Sequence, residues 1–255
     1  MSASEFYDGL ADEYHLIYLD WEAAVERQGR VLDCLIREAL GPGRRHVLDC
    51  ACGIGTQAIG LAQHGHRVVG TDISEGAVAR ARREADRFGQ DIDFALADFR
   101  DLDAVGGVFD VVVNCDNAIP HLTDEGHVST ALAAMTRKLR PGGLLVVSIR
   151  DYDRALLDRP ATESGLIPGP PRRIVTRLHE WDDDGPMHTV QIFVVSENAE
   201  GWTLRHHRTR YRALTRAELS GAAERAGLRD LTWLDGEQLG FHQPLFTARA
   251  PGLSA

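Results

Sequence analysis

Between residues 46 and 150 the chain repeats one unit: a short apolar run followed by a segment whose apolar residues recur at helical spacing. HVLDCA (46–51), RVVGTD (67–72), IDFALA (92–97), FDVVVN (109–114) and LLVVSIR (144–150) are the runs, and 56–64, 75–88 and 125–139 are helical segments between them. Helices inserted between apolar strands imply parallel pairing, because such a connection returns the chain across one face of the sheet. A sheet covered on both faces accounts for strands that are apolar throughout, and it places ligands at the carboxyl ends of those strands. An α/β chain with a mostly parallel sheet is therefore expected.

The flanks obey other rules. Two helical patterns precede the sheet, at 5–18 and 22–40; in the second, Val25, Leu32, Leu35, Ile36 and Ala39 recur on one face before Gly41-Pro42-Gly43 stops it. After Arg150 a Pro/Gly segment (160–171) leads into three alternating stretches, 172–181, 187–196 and 202–214. Their short DDDGP and ENAEG connections predict antiparallel hairpins. A helix at 216–226 and strands near 228–234 and 244–250 then return to the main sheet. The expectation is one domain over 1–255, with an N-terminal helical lid (1–40) and an inserted β cap (160–214).

Composition removes several function classes. The 38 acidic residues outnumber the 28 basic ones for a net charge of -10, whereas phosphate-backbone binding leaves a basic footprint, so no nucleic-acid partner is expected. No run approaches the roughly 18 apolar residues of a membrane span, and MSASEFYDGLADEY has neither a basic nor an apolar leader region, which predicts a cytoplasmic protein with no membrane partner. Cys34, Cys50, Cys52 and Cys115 show no zinc-type pairing with histidines and no His-Glu-x-x-His occurs, so reduced thiols and no metal are expected. A homo-oligomer is left open.

The densest signal is VLDCACGIGTQA (47–58), followed by GTDIS (70–74). Gly53 and Gly55 allow a tight turn and close approach of a ligand to the backbone, and the helix that follows points its N-terminus at the same place. Gly53-x-Gly55-x-x-Ala58 with Asp72 also satisfies a dinucleotide fingerprint. Asp49, four residues before Gly53, argues against it, because a carboxylate there repels a pyrophosphate and favours a ligand with a positive end.

An acid before the glycines, a second acid ending the next strand and a third after strand three resemble the class I methyltransferases, whose methyl donor S-adenosyl-L-methionine is cationic. The resemblance implies a Rossmann-like fold with a seven-stranded sheet and helices on both faces. It further implies that Asp49, Ala51, Gly53 and Gly55 surround the methionyl end. Asp72 and Ile73 would lie at the ribose, Asp98 and Phe99 at the adenine, and Cys115 at the end of strand four, as a packing thiol.

At the end of strand four the Asp/Asn-Pro-Pro-aromatic run of base-amino methyltransferases is absent. FDVVVNCDNAIPHL and SIRDYDRAL instead resemble segments of glycine and glycine/sarcosine N-methyltransferases. That resemblance implies that Asn117 hydrogen-bonds the acceptor and Arg150 clamps a carboxylate, and that Tyr14 and Tyr18, with Tyr7, belong to a lid touching donor and acceptor. The family's glycine before the asparagine is Asp116 here, its histidine before the arginine is Ile149, and its basic residue after the Asp-Trp pair is Ala24, with Arg27 one turn away. In 202–214, His207, Thr209 and Tyr211 share one face and His206, Arg208 and Arg210 the other; Tyr211 is a candidate acceptor contact. His121 is the candidate base should oxygen be the acceptor.

The expected activity is therefore methyl transfer to a small molecule, an amino acid or amine metabolite, by in-line displacement. The alternatives are O- or C-methylation of a specialised metabolite, an NAD-dependent oxidoreductase, or a non-catalytic S-adenosylmethionine-binding protein.

Overall fold

A computed structural model of the chain describes residues 2–252. Helix α1 (Ala3–Leu10) opens it, held by a capping box between Ser2 and Glu5. The helix expected to reach residue 18 stops at Leu10, and Tyr14–Ile17 forms a separate 3-10 turn. Tertiary bonds outweigh the local pattern here: Arg80 donates to the Asp12 carbonyl at 3.0 Å and Arg83 reaches the Asp12 carboxylate at 3.0 Å, fixing a turn between the two pieces. Helix α2 (Trp21–Leu40) follows, capped by the Asp20 side chain.

The expected alternation comes next: β1 (His46–Asp49), α3 (Thr56–Gln63), β2 (Arg67–Asp72), α4 (Glu75–Arg87), β3 (Asp93–Leu96) and β4 (Phe109–Asn114). A 3-10 turn (Ile119–His121), α5 (Glu125–Lys138) and β5 (Leu139–Ser148) complete the parallel part. Helix α6 (Tyr152–Asp158) leads to a second sheet of β6 (Thr162–Ile167), β7 (Arg173–Trp181), β8 (Met187–Asn198) and β9 (Gly201–Arg212). The chain closes with α7 (Arg216–Arg225), β10 (Arg229–Leu234), α8 (Gly236–Leu239) and β11 (Leu245–Arg249).

The main sheet has the order β10-β11-β5-β4-β1-β2-β3, with β11 antiparallel to both neighbours and the other pairs parallel. Alternate residues of its strands feed two cores. Leu48, Val112, Leu145 and Val147 pack with α5 and α7, while Val47, Val111, Val113 and Val146 pack with α2, α3 and α4. Among the described residues no helix is long and apolar enough to cross a membrane.

The second sheet has four antiparallel strands, one more than the sequence pattern predicts. The additional strand, β6, lies inside the expected Pro/Gly loop. TESGLI has little alternation of its own and is extended because each residue pairs with β7. Ile167, Val175, Val190, Ile192 and Val194 of this sheet bury Phe6 and Leu10, so α1 is seated on the insertion.

Helices α2 and α3 cross at two glycines. A Cβ on Gly29 would lie 2.5 Å from the Gly60 carbonyl carbon, and one on Gly60 would lie 2.5 Å from the Val25 oxygen. Backbone atoms cannot rotate aside, so Gly29→Ala should sit towards the upper end of the about 1–3 kcal/mol that overpacking costs. That exceeds the gain of about 0.8–1 kcal/mol in helix propensity. Thermal unfolding should show Tm falling by roughly 2–6 °C. Gly221→Ala in α7, which meets only the end of the Arg225 side chain, should leave Tm unchanged or raise it.

Candidate active site

The site forms where β1, β2, β4 and β5 end. The loop after β1 is stitched to both neighbouring strands: Cys50 N–H donates to Val113 O and Cys52 N–H to Thr71 O, each at 2.9 Å. Gly53 N–H donates to the Asp72 carboxylate at 2.8 Å. Gly53 and Gly55 take φ values of +51° and +96°, where an L side chain is strained, and Gly55 caps α3. The other Asp72 oxygen accepts from Ser74 N–H at 2.9 Å, and the Ser74 side chain caps α4. Burial raises the Asp72 pKa while these backbone donors oppose the rise.

Beside the loop lies a cavity of about 320 Å³. Of the residues that the sequence reading assigns to the donor, Ala51, Gly53, Asp72, Ile73, Asp98, Phe99, Cys115 and Tyr14 line it, together with Tyr7 and His121. Asp98 is already paired: both its oxygens accept from Arg100 Nε, at 3.1 and 2.9 Å. Burial pushes the Cys115 thiol well above its ordinary pKa, so it remains protonated packing. Asp49 and Gly55 lie behind the wall rather than on it. Asp49 is fully buried, one carboxylate oxygen has no partner among the described residues, and burial pushes its pKa up to about 8.

A second cavity, of about 280 Å³, shares Tyr7, Tyr14 and Asp116 with the first. Asp116 and Asn117 occupy the left-handed region at φ +57° and +67°, which Asp and Asn tolerate better than other side chains. Their neighbours fix this backbone. Asp116 N–H donates to Ser148 Oγ at 2.9 Å, Asn117 Nδ2 donates to the Tyr152 hydroxyl at 2.9 Å, and Arg150 N–H donates to Asn117 Oδ1 at 3.1 Å. The Asp116 carboxylate accepts from the Tyr18 hydroxyl at 2.8 Å and lies 3.0 Å from His242 Nε2. Burial raises its pKa, but His242, Gln57 and Tyr18 together hold it below the usual carboxylate range.

Asn117, Arg150 and Tyr211 all line this second cavity, and so does Tyr18, which does not reach the first. The Arg150 fork is engaged by Glu163 of β6, at 3.1 and 3.3 Å. His121 Nε2 bonds the Tyr7 hydroxyl at 2.9 Å, its Nδ1 faces Thr209 Oγ1 at 3.3 Å, and burial lowers its pKa to about 3. His242 and Arg177 are among the lining residues that escaped the sequence reading. His242 follows α8 in a loop without periodic signal. Arg177 had a cue: it stands on β7 between Val175 and His179, both buried, so an arginine faces inward.

Known proteins share this architecture. A methyltransferase-domain family matches residues 47–143. The glycine/sarcosine N-methyltransferase of Parasynechococcus marenigrum is 35% identical over 162 residues, covering 63% of this chain, which spans 56% of that protein's length. A cypemycin N-terminal methyltransferase from Streptomyces sp is 31% identical over 209 residues, covering 81% of this chain and 80% of that one. The sugar N-methyltransferase KedS8 from Streptoalloteichus sp ATCC 53650 superposes with a TM-score of 0.72 at 25% identity, over 93% of this chain and 92% of its own.

The residues present fit S-adenosylmethionine. Asp72 keeps acceptor capacity for hydroxyls, the space a Cβ would take at Gly53 is open, and the uncompensated Asp49 carboxylate favours a cation nearby. Fold, glycine loop and relatives agree: the chain belongs to the class I S-adenosylmethionine-dependent methyltransferases.

Proposed function

We propose that the protein methylates the nitrogen of a small-molecule amine, with the donor in the cavity beside the glycine loop and the acceptor in the cavity walled by α1, β7 and β9. The observation that carries this reading is the anionic Asp116 where the two cavities meet. When bound, S-adenosylmethionine supplies an electrophilic methyl group on a sulfonium. Asp72 accepts the donor's hydroxyls, and Asp49 answers its positive end from beneath the loop. Tyr18 and His242 orient Asp116, which accepts an N–H bond from the acceptor and so aims the nitrogen lone pair away from itself. Positioning and exclusion of water then supply the acceleration, since displacement by a neutral amine needs no base in the transition state.

Oxygen is the poorer acceptor on electrostatic grounds. An oxyanion about 4 Å from the Asp116 carboxylate is repelled by roughly 4 kcal/mol at an effective dielectric of about 20. His121 is a weak base for making that oxyanion, because both its nitrogens are engaged and its pKa is low. Two of the relatives above, the glycine/sarcosine and sugar enzymes, are N-methyltransferases. Incubation with S-adenosylmethionine and panels of amines and phenols, with products identified by mass and NMR, tests the reading, and it expects an N-methyl product. Asp116→Asn should lower kcat/KM for the amine by about tenfold or more, a loss of about 1.4 kcal/mol. Phenol methylation should not fall with it, and an amine-to-phenol ratio unchanged by the substitution would show that the carboxylate does not select nitrogen.

A pH dependence follows from Asp49. In the free protein its pKa is raised to about 8, so at lower pH it is mostly protonated, and a cationic ligand favours the ionised form. Binding then expels a proton, and affinity rises with pH. The ligand's own ammonium stays charged below about 7.7. Between about pH 5.5 and 7.5, calorimetric affinity for S-adenosylhomocysteine should increase by up to about tenfold per unit, and Asp49→Asn should flatten the profile.

A further inference from the structure

We infer that Arg177 binds a carboxylate of the acceptor, so that the acceptor lies with its amine towards Asp116 and its acid towards β7. This deepens the amine reading of the second cavity and rests on it. The inward face of β7 carries Val175, Arg177 and His179, and Arg177 lines the cavity together with Arg27 and Arg150. Three guanidiniums thus surround one small space.

The nearby carboxylates do not balance them. Glu163 receives the Arg150 fork and lies 3.6 Å from His179 Nε2, and Asp116 is held by Tyr18 and His242. Among the described residues neither Arg177 nor Arg27 has a hydrogen-bonded or ion-paired partner. Burial and the neighbouring Arg150 charge push the Arg177 pKa down by more than the Glu163 carboxylate raises it. An unpaired guanidinium out of bulk water is costly, and a carboxylate matches its planar fork with two parallel hydrogen bonds. Arg150, the arginine that the sequence singles out for this work, already has such a partner in Glu163. Specificity for an acid therefore falls to Arg177, with Arg27 adding long-range attraction. At about 280 Å³ the cavity suits a molecule of amino-acid size.

The test uses the full chain with S-adenosylhomocysteine bound and matched probes, the common amino acids and their carboxamides. Binding is read by saturation-transfer NMR, and methyl transfer by mass spectrometry with S-adenosylmethionine. At least one amino acid should bind and turn over about tenfold better than its amide. Arg177→Gln should reduce that ratio about tenfold while S-adenosylhomocysteine affinity, which reports folding, changes by less than about twofold; Arg177→Lys should restore part of the ratio. A wild-type protein that binds acids no better than amides, or binds neither, overturns the inference, as does an unchanged ratio in Arg177→Gln. Failure of the amine reading looks different: the methyl group would appear on oxygen or carbon while the acid preference still followed Arg177.

Discussion

The hydrogen bond from Gly53 N–H to the Asp72 carboxylate joins the glycine loop to the second strand of the sheet. It requires a backbone turned to positive φ at Gly53 and an acid at the last residue of β2, so two sequence features nineteen positions apart become one structural unit. Everything at the donor end is arranged around it. Ser74 satisfies the second Asp72 oxygen and caps α4, Gly55 starts α3, and Asp49 is driven beneath the loop. Asp49 is left with an oxygen that no group among the described residues satisfies. An isolated buried carboxylate favours its neutral form, so this acid makes the free protein less stable as pH rises from its ordinary pKa towards about 8. A cation in the neighbouring cavity would offset that cost.

The parallel sheet and its loop were legible because their signals are local. Apolar runs, helical spacing and two glycines survive any tertiary context, and Asp72, Gly53, Ala51 and Phe99 line one cavity at the end of those strands. The acceptor side was harder to read because its pairings are tertiary. β6 exists only by pairing with β7, and Glu163 on β6 changes what Arg150 can do. Asn117 illustrates the same point. Its motif is visible, but its amide bonds Tyr152 and the Arg150 backbone, which shows a residue that shapes the turn as well as facing the cavity. The Asp116 substitution becomes intelligible only with its φ of +57°: a glycine is easiest there, an aspartate is tolerated, and the aspartate brings a charge to the junction.

Helix α1 belongs to both cavities, and this couples them. Ser2, Ala3, Ser4 and Tyr7 line the first cavity, whereas Phe6, Tyr7 and Leu10 line the second. On one flank Asp8 accepts from Ser74 Oγ at 2.6 Å and from Gly76 N–H at 3.0 Å, immediately beyond the Asp72 strand end. On the other flank Phe6 and Leu10 are buried against the inserted sheet. A helix of eight residues is too short to be stable alone in water, so its position depends on these two sets of contacts. Ser74 is the shared element, since its backbone binds Asp72 and its hydroxyl binds Asp8. The Asp72 carboxylate at the first cavity and the helix that walls the second are thus only two hydrogen bonds apart, both made by Ser74.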